Sequence, residues 1–295
     1  MIGLGLLAVL ALVLINAVGS GQPQSGAYVN DDYQVPAADL NPPPLPIPQT
    51  YDQAEQWLTD NDVYGATMPA PVRCEVPAID VARASDAVLD AHFEDLVACL
   101  VRAWQPPLTA AGFQLPRPSV TIYTEQISTR CGSGRIPRNA FYCPADQQIY
   151  WSNTLGDILA PFSRSPRAGD QIMAHEFGHA IQGRTGIIAS SQGIRQALSD
   201  EGARLQLGRR TEVQADCFAG LFLRSVSASL GLEQTDVERI QRDFFNSGDD
   251  VLSGDPNYVG DHGRGQSRQF WGSTGLGTDQ IGECNSFTAP SNQVR

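Results

Sequence analysis

The chain predicts an α+β fold, mostly helical, with a small sheet packed beside the helix that carries His175-Glu176-Phe177-Gly178-His179. Two observations point there. Short β-branched and aromatic runs, Ser119–Tyr123 and Gln148–Trp151, come early, and longer patterns with apolar residues three and four apart dominate after them. Strands ahead of helices is the α+β order, distinct from the alternation of a parallel α/β sheet. Residues 51–295 form the expected domain, about 225–245 residues and enough for a sizeable core.

From the amino terminus, Ile2–Val18 is apolar and uncharged, broken only by Asn16. Its length lies between a signal-peptide core and a membrane span, and no Lys or Arg precedes it. Residues 1–19 are therefore read as a signal peptide or an N-terminal membrane anchor, with Ala17-Val18-Gly19 as a poor cleavage site. Either way the domain is expected outside the cytoplasm, secreted or tethered through residues 2–18. Residues 20–50, ending in Pro42-Pro43-Pro44-Leu45-Pro46-Ile47-Pro48, read as a Pro-rich disordered linker.

Ser85–Trp104 has helical periodicity, with Val88, Leu89, Phe93, Leu96, Val97, Leu100 and Val101 on the apolar face and Pro106-Pro107 as its stop. His92 on this helix reads as an ordinary helix residue. Ser165-Pro166 marks the start of a helix running to Gly183. Further helices are expected over 208–228 and 233–245.

The 165–183 helix holds two of the chain's four histidines. Residues four apart lie about 40° apart on a helix, so His175 and His179 share a face and can grip one tetrahedral ion. Glu176, one step around, is placed to take a proton from a water activated by the metal. Ile172, Met173, Ala174, Phe177, Ala180 and Ile181 predict a buried helix, in which two imidazoles and a carboxylate are costly without partners. A third ligand comes from Glu212-Val213-Gln214-Ala215-Asp216. Glu212 and Asp216 are again four apart, so Glu212 is assigned to the metal and Asp216 to the ring N–H of a ligand histidine. Ala215, Ala219 and Gly220 are expected to let this helix approach the first closely.

The segments His175–Gln182 and Glu212–Gly220, with Phe141–Tyr150 before them and His262-Gly263, Arg268 and Trp271 after, resemble the bacterial neutral zinc metallopeptidase family. The likeness spans roughly residues 70–288. It implies a gluzincin-type, zincin-like fold with one Zn²⁺ held by His175, His179 and Glu212. It also implies a peptide or protein substrate, held along an edge strand just before the metal helix. Gln148–Ser152 is a candidate for that strand, with a plain sheet strand as the equal alternative.

His262, on the Gly-rich loop Gly260–Arg264, is the candidate donor to the carbonyl oxygen during hydrolysis, with Tyr258, Arg264 and Arg268 as alternatives. Six cysteines without a C-x-x-C pair suit disulfides in an exported chain. Fifteen connectivities are open, and the working expectation is Cys74–Cys99, Cys131–Cys143 and Cys217–Cys284. A net charge of −12, all twenty cations being arginine, and the lack of a basic stripe argue against nucleic acid as a partner.

The combined expectation is an exported zinc metallopeptidase with Glu176 as general base. The competing readings are a catalytically inactive zinc-binding scaffold or peptide-binding protein of the cell envelope, and an envelope structural protein whose motif is accidental.

Overall fold

The computed structural model describes residues 27–124, 126–134, 139–159, 165–258 and 260–295. The apolar run at 2–18 lies outside them. No helix among the described residues is long and apolar enough to cross a membrane.

The domain is mostly helical, with a small sheet against the helix bearing the histidine pair. The order is α1 (Tyr51–Thr59), α2 (Asp86–Ala110), β1 (Val120–Tyr123), β2 (Ile127–Thr129), β3 (Gly132–Gly134), β4 (Ala140–Cys143) and β5 (Gln148–Ser152). Then follow α3 (Leu155–Leu159), α4 (Ala168–Arg184), α5 (Ile187–Ala197), α6 (Glu201–Leu230), α7 (Gln234–Asn246), α8 (Asp249–Leu252) and α9 (Gly265–Gly277). The main sheet has the order β1-β5-β4, with β5 parallel to β1 and antiparallel to β4; β2 and β3 form a separate hairpin.

Strand β5 is thus central, and Gln148–Ser152 is not the free edge considered from sequence. Its burial signals this, since Ile149, Tyr150, Trp151 and Ser152 are all buried. The edges are β1 and β4, and β4 is the one whose Tyr142 amide meets Glu176 of α4.

Helix α2 runs through Pro106 and Pro107 rather than stopping at them. Proline at position i leaves the carbonyl of i−4 without its amide donor. Arg102, four residues before Pro106, gives its carbonyl to Asn30 Nδ2 at 2.8 Å, so part of the loss is made good from a distant segment. Leu89, Phe93, Leu96, Val97, Leu100 and Val101 are buried as expected, whereas Val88 faces solvent. His92 is more than the ordinary helix residue expected from sequence. It is buried, with Nε2 2.7 Å from Asp170 in the first turn of α4, and Asp170 also takes Arg167 at 2.8 Å.

Helix α4 begins at Ala168, three residues after the expected start, because Ser165 accepts the Arg167 amide and forms the preceding turn. Helix α6 starts earlier than the apolar pattern shows, capped by Asp200, which accepts Ala203 N at 2.7 Å. Its first turns, Glu201–Leu207, are exposed or half-buried and so carry little apolar signal. Gly231 closes it in the left-handed region at φ 62°.

The segment expected as a disordered linker does not behave as one over its described part. Residues 27–49 run extended over the domain: Val29 N donates to Pro71 O, Asp39 N to Arg117 O, and Pro43 O accepts both Gln147 Nε2 and Arg184 Nη1. The six cysteines form Cys74–Cys99, Cys131–Cys143 and Cys217–Cys284. The core is aromatic: Phe93 lies 4.3 Å from Trp151 and Trp104 5.2 Å from Phe218, centroid to centroid.

Close helix approaches are made by small residues. A Cβ on Gly178 of α4 would stand 3.1 Å from the Ala215 Cα of α6, so Ala215 does serve the α4–α6 approach. Gly220 serves a different one. A Cβ there would meet the Gly272 carbonyl at 2.3 Å, and one on Gly275 would meet the Cys217 carbonyl at 2.0 Å, so α6 and α9 touch backbone to backbone. Gly275→Ala must push the helices apart and should lower stability by about 1–3 kcal/mol. Gly277→Ala, with open space around it, should not. Thermal unfolding of the two variants checks this.

Candidate metal centre

Helices α4 and α6 supply the five side chains singled out around the motif: His175, Glu176 and His179 from α4, Glu212 and Asp216 from α6. His175 Nε2 lies 3.3 Å and His179 Nε2 3.6 Å from the same oxygen, Glu212 Oε2. One ligand atom from each of the three lies within 4.8 Å of the others, a cluster able to hold a metal ion. The two rings stand nearly perpendicular, 86° apart, with centroids 4.7 Å apart.

Hydrogen bonds on the far side of each ring decide whether the Nε2 atoms can act as ligands. His175 Nδ1 is 2.8 Å from Asp216 Oδ1, an acceptor when ionised, so Nδ1 carries the proton. Asp216 is itself held by Arg268 of α9, which donates Nε to Oδ2 and Nη2 to Oδ1, each at 2.8 Å. This two-pronged pairing is the stronger geometry for carboxylate and guanidinium. Arg268 Nη1 also binds Ser247 O at 2.8 Å, anchoring the fork.

His179 Nδ1 is 2.8 Å from Gln182 Oε1. The orientation of that amide follows from its other end: Gln182 Nε2 donates to Thr211 O at 2.8 Å and to Gln214 Oε1 at 2.9 Å. With nitrogen committed to two acceptors, the oxygen must face His179, which therefore also carries its proton on Nδ1. Gln214 Nε2 continues to Tyr64 Oη and to Cys284 O. A hydrogen-bonded chain thus links the Cys217–Cys284 disulfide to His179. With Nδ1 engaged on the far side of each ring, both Nε2 atoms face one carboxylate and are the atoms left to bind a metal, a donor set that suits zinc.

Electrostatics agree. Burial opposes charge on His175, but Asp216 and Glu212 outweigh it and push the ring up to about 10. Burial likewise works against ionised Glu212, yet His179 and His175 hold it well below the usual carboxylate range. The site favours positive charge between the rings and Glu212.

Glu176 points elsewhere. It is buried on the cleft side and its Oε2 accepts the backbone N–H of Tyr142 in β4 at 2.9 Å. Burial raises its pKa, countered by His175 and His179. Serine 152 N donates to Asn139 O at 3.0 Å, which fixes the β4–β5 ladder. By the alternation of an antiparallel pair, the Ala140 and Tyr142 peptide groups face away from β5.

His262 lies at the rim of the same cleft, half exposed, with Nδ1 3.3 Å from Asp249 and 3.4 Å from Asp261. The bond to Asp249 raises its pKa. Of the alternative donors, Arg268 is spent on Asp216, and Tyr258 does not line the cleft. Gln182 was not singled out from sequence, although it sits three residues after His179, where helix side chains meet. The Tyr142 amide carries no side-chain signal at all.

These groups open into one cleft of about 540 Å³, walled by β4, α5, α6, α7 and by Asp249, Leu252, Asp261 and His262. Fold and site together define a buried histidine-pair helix crossed by a carboxylate helix beside an edge strand, the gluzincin arrangement of a His-Glu-x-x-His motif with a distal glutamate. The chain belongs to the family described as "Putative neutral zinc metallopeptidase", whose model matches residues 66–287. The Mycobacterium tuberculosis (strain H37Rv) protein Rv2575 is 28% identical over 204 residues, 63% of this chain. The Escherichia coli K12 protein YpfJ is 31% identical over 194 residues, 62% of this chain. The match covers 66% of each relative, slightly under two thirds of its length. No solved structure matches this chain.

Metal bound through His175 Nε2 must displace the proton that the ring holds up to about pH 10. Apparent affinity should therefore rise with pH toward that value and fall as the solution is acidified. Asp216→Asn should weaken binding about 10–100-fold and flatten that pH dependence. Competition against a chromophoric chelator across pH measures both.

Proposed function

We propose that the protein is an extracytoplasmic zinc-dependent endopeptidase, with His175, His179 and Glu212 as the metal ligands. The observation that carries this reading is the convergence of two Nδ1-protonated imidazoles on the Glu212 carboxylate, beside a separate buried glutamate. Zinc in that position supplies Lewis acidity to the scissile carbonyl and to the attacking water.

The chain's own groups do the rest. Glu176, with its pKa raised by burial, takes the proton of the attacking water and passes it to the leaving amine. The Tyr142 amide holds one Glu176 oxygen and leaves the other for this transfer. Asp216 keeps His175 in its ligand tautomer and Arg268 keeps Asp216 ionised. The outward Ala140 peptide groups and the Tyr142 carbonyl of β4, the Tyr142 N–H being held by Glu176, pair with an extended substrate and align it along the cleft, reading backbone rather than side chains. His262, from the opposite rim, donates to the carbonyl oxygen as charge develops there. Three disulfides support an oxidising compartment and thus export of the domain.

Glu176→Gln should keep one zinc per chain and lower turnover of a broad peptide library by about 10²–10⁴-fold. Metal analysis and mass spectrometry of the digest give both values. Normal turnover in that variant overturns the mechanism, and a wild type that binds zinc but cuts nothing favours the peptide-binding scaffold. His262→Ala should retain zinc and lose about 10²–10³ in kcat; unchanged kcat removes His262 from the reaction.

A further inference from the structure

We infer that Arg195 selects substrates by binding a carboxylate of the peptide about one helical turn from the metal ligands, an assignment that rests on the peptidase reading above. Helix α5 turns Ile188, Ser191, Gln192 and Arg195 onto the cleft, the three-and-four spacing of a single helix face. Arg195, in its last turn, is half-buried and has no carboxylate or carbonyl partner among the described residues. The other cleft arginine, Arg268, is fully used by Asp216 and Ser247. Among the described residues that line the cleft, Arg195 is therefore the uncommitted arginine, in a chain of net charge −12.

Its head group is seated. An added Cβ on Gly208 of α6 would lie 3.3 Å from Cζ, 3.3 Å from Nη1 and 3.4 Å from Nη2 of Arg195. Near-equal distances mean the guanidinium lies face-on over the glycine, with its N–H bonds running along the cleft wall. Gly208 is four residues before Glu212, so the head group rests about 6 Å along α6 from the metal ligand. A basic residue at a helix C-terminus suits the dipole on any face. Placement on the cleft face, over a residue lacking a side chain, is what points to a ligand. The cleft is also lined by Asp243, Asp249 and Asp261 from α7 and beyond, carboxylates that disfavour an anion near them and leave Arg195 as its partner. A planar fork of donors there matches a carboxylate in two-pronged geometry.

The carboxylate is either an Asp or Glu side chain or the C-terminus of the peptide, and the test separates them. Fluorogenic peptides carrying Glu or Gln at each position in turn, and free-acid or amidated ends, are measured for kcat/KM with zinc-loaded wild type, Arg195→Ala and Arg195→Glu. The same labelled peptides are measured for Kd by anisotropy on zinc-loaded Glu176→Gln, with and without each Arg195 change. Wild type should favour Glu at one position, or the free acid, by about tenfold or more. Arg195→Ala should bring that ratio near one, and Arg195→Glu should shift preference to Lys, a gain that misfolding cannot imitate. Preference retained in Arg195→Ala, or no preference at any position or end, overturns the inference. If no peptide is cut, the peptidase reading fails separately, and the Kd ratios alone decide Arg195.

Discussion

The crossing of α4 over α6 at Gly178 and Ala215 is the constraint on which the site depends. With no side chain on Gly178, the two backbones come close enough for Glu212, three residues before Ala215, and Asp216, the residue after it, to reach the histidines. Glu212 meets both Nε2 atoms and Asp216 meets the back of His175. A larger residue at 178 would part the helices and separate ligands that are otherwise intact. The same economy recurs on the other side of α6, where Gly220, Gly272 and Gly275 bring α9 close and deliver Arg268 to Asp216.

Burying this much charge is unfavourable unless every group is paired, and the pairing defines what the site does. Arg268 and Asp216 form a fully desolvated pair, costly to break because the survivor would be left alone in the interior. Glu212 and the two imidazoles leave an unmet preference for positive charge, which a divalent cation satisfies better than a proton can. Glu176 is buried beside them but bonded only to a backbone amide, so its carboxyl is held above the ordinary range. Two glutamates on adjacent helices thus acquire opposite tendencies from their surroundings, Glu212 held ionised and Glu176 pushed toward its protonated form.

Much of the site was legible because helix spacing is local information. The four-residue intervals from His175 to His179 and from Glu212 to Asp216 fix which side chains share a face, and the disulfides joined as expected. What stayed hidden arises from distant contacts. Pro106 and Pro107 read as a stop because nothing nearby shows that Asn30 will take the Arg102 carbonyl. The edge position passed from β5 to β4 because strand order depends on β1 returning parallel to β5. Helix α9, with four glycines and a weak apolar pattern, looks unpromising locally, since Gly275 serves the contact with α6 while Gly265 and Gly272 make room for Phe245 and Phe244 of α7. Gln182 and Gln214 are ordinary polar residues in sequence, and only folding makes them a rigid relay from Cys284 to His179.

The Pro-rich segment shows why composition misled where geometry did not. Proline removes an amide donor but leaves its carbonyl as a good acceptor, so such a strand can pair only with a surface that offers donors. The domain presents them: Arg184 at the end of α4 and Gln147 in the turn entering β5 both donate to Pro43 O, and Arg184 also donates to Gln147 Oε1. The Pro42-Pro43-Pro44 run, without amide donors of its own, thereby ties the metal helix to the sheet at the end remote from Asp170. At the other end His92 holds Asp170 to α2. Helix α4 is pinned at both termini by partners outside the cleft, which keeps His175, Glu176 and His179 fixed against β4 and α6 while the cleft itself stays open.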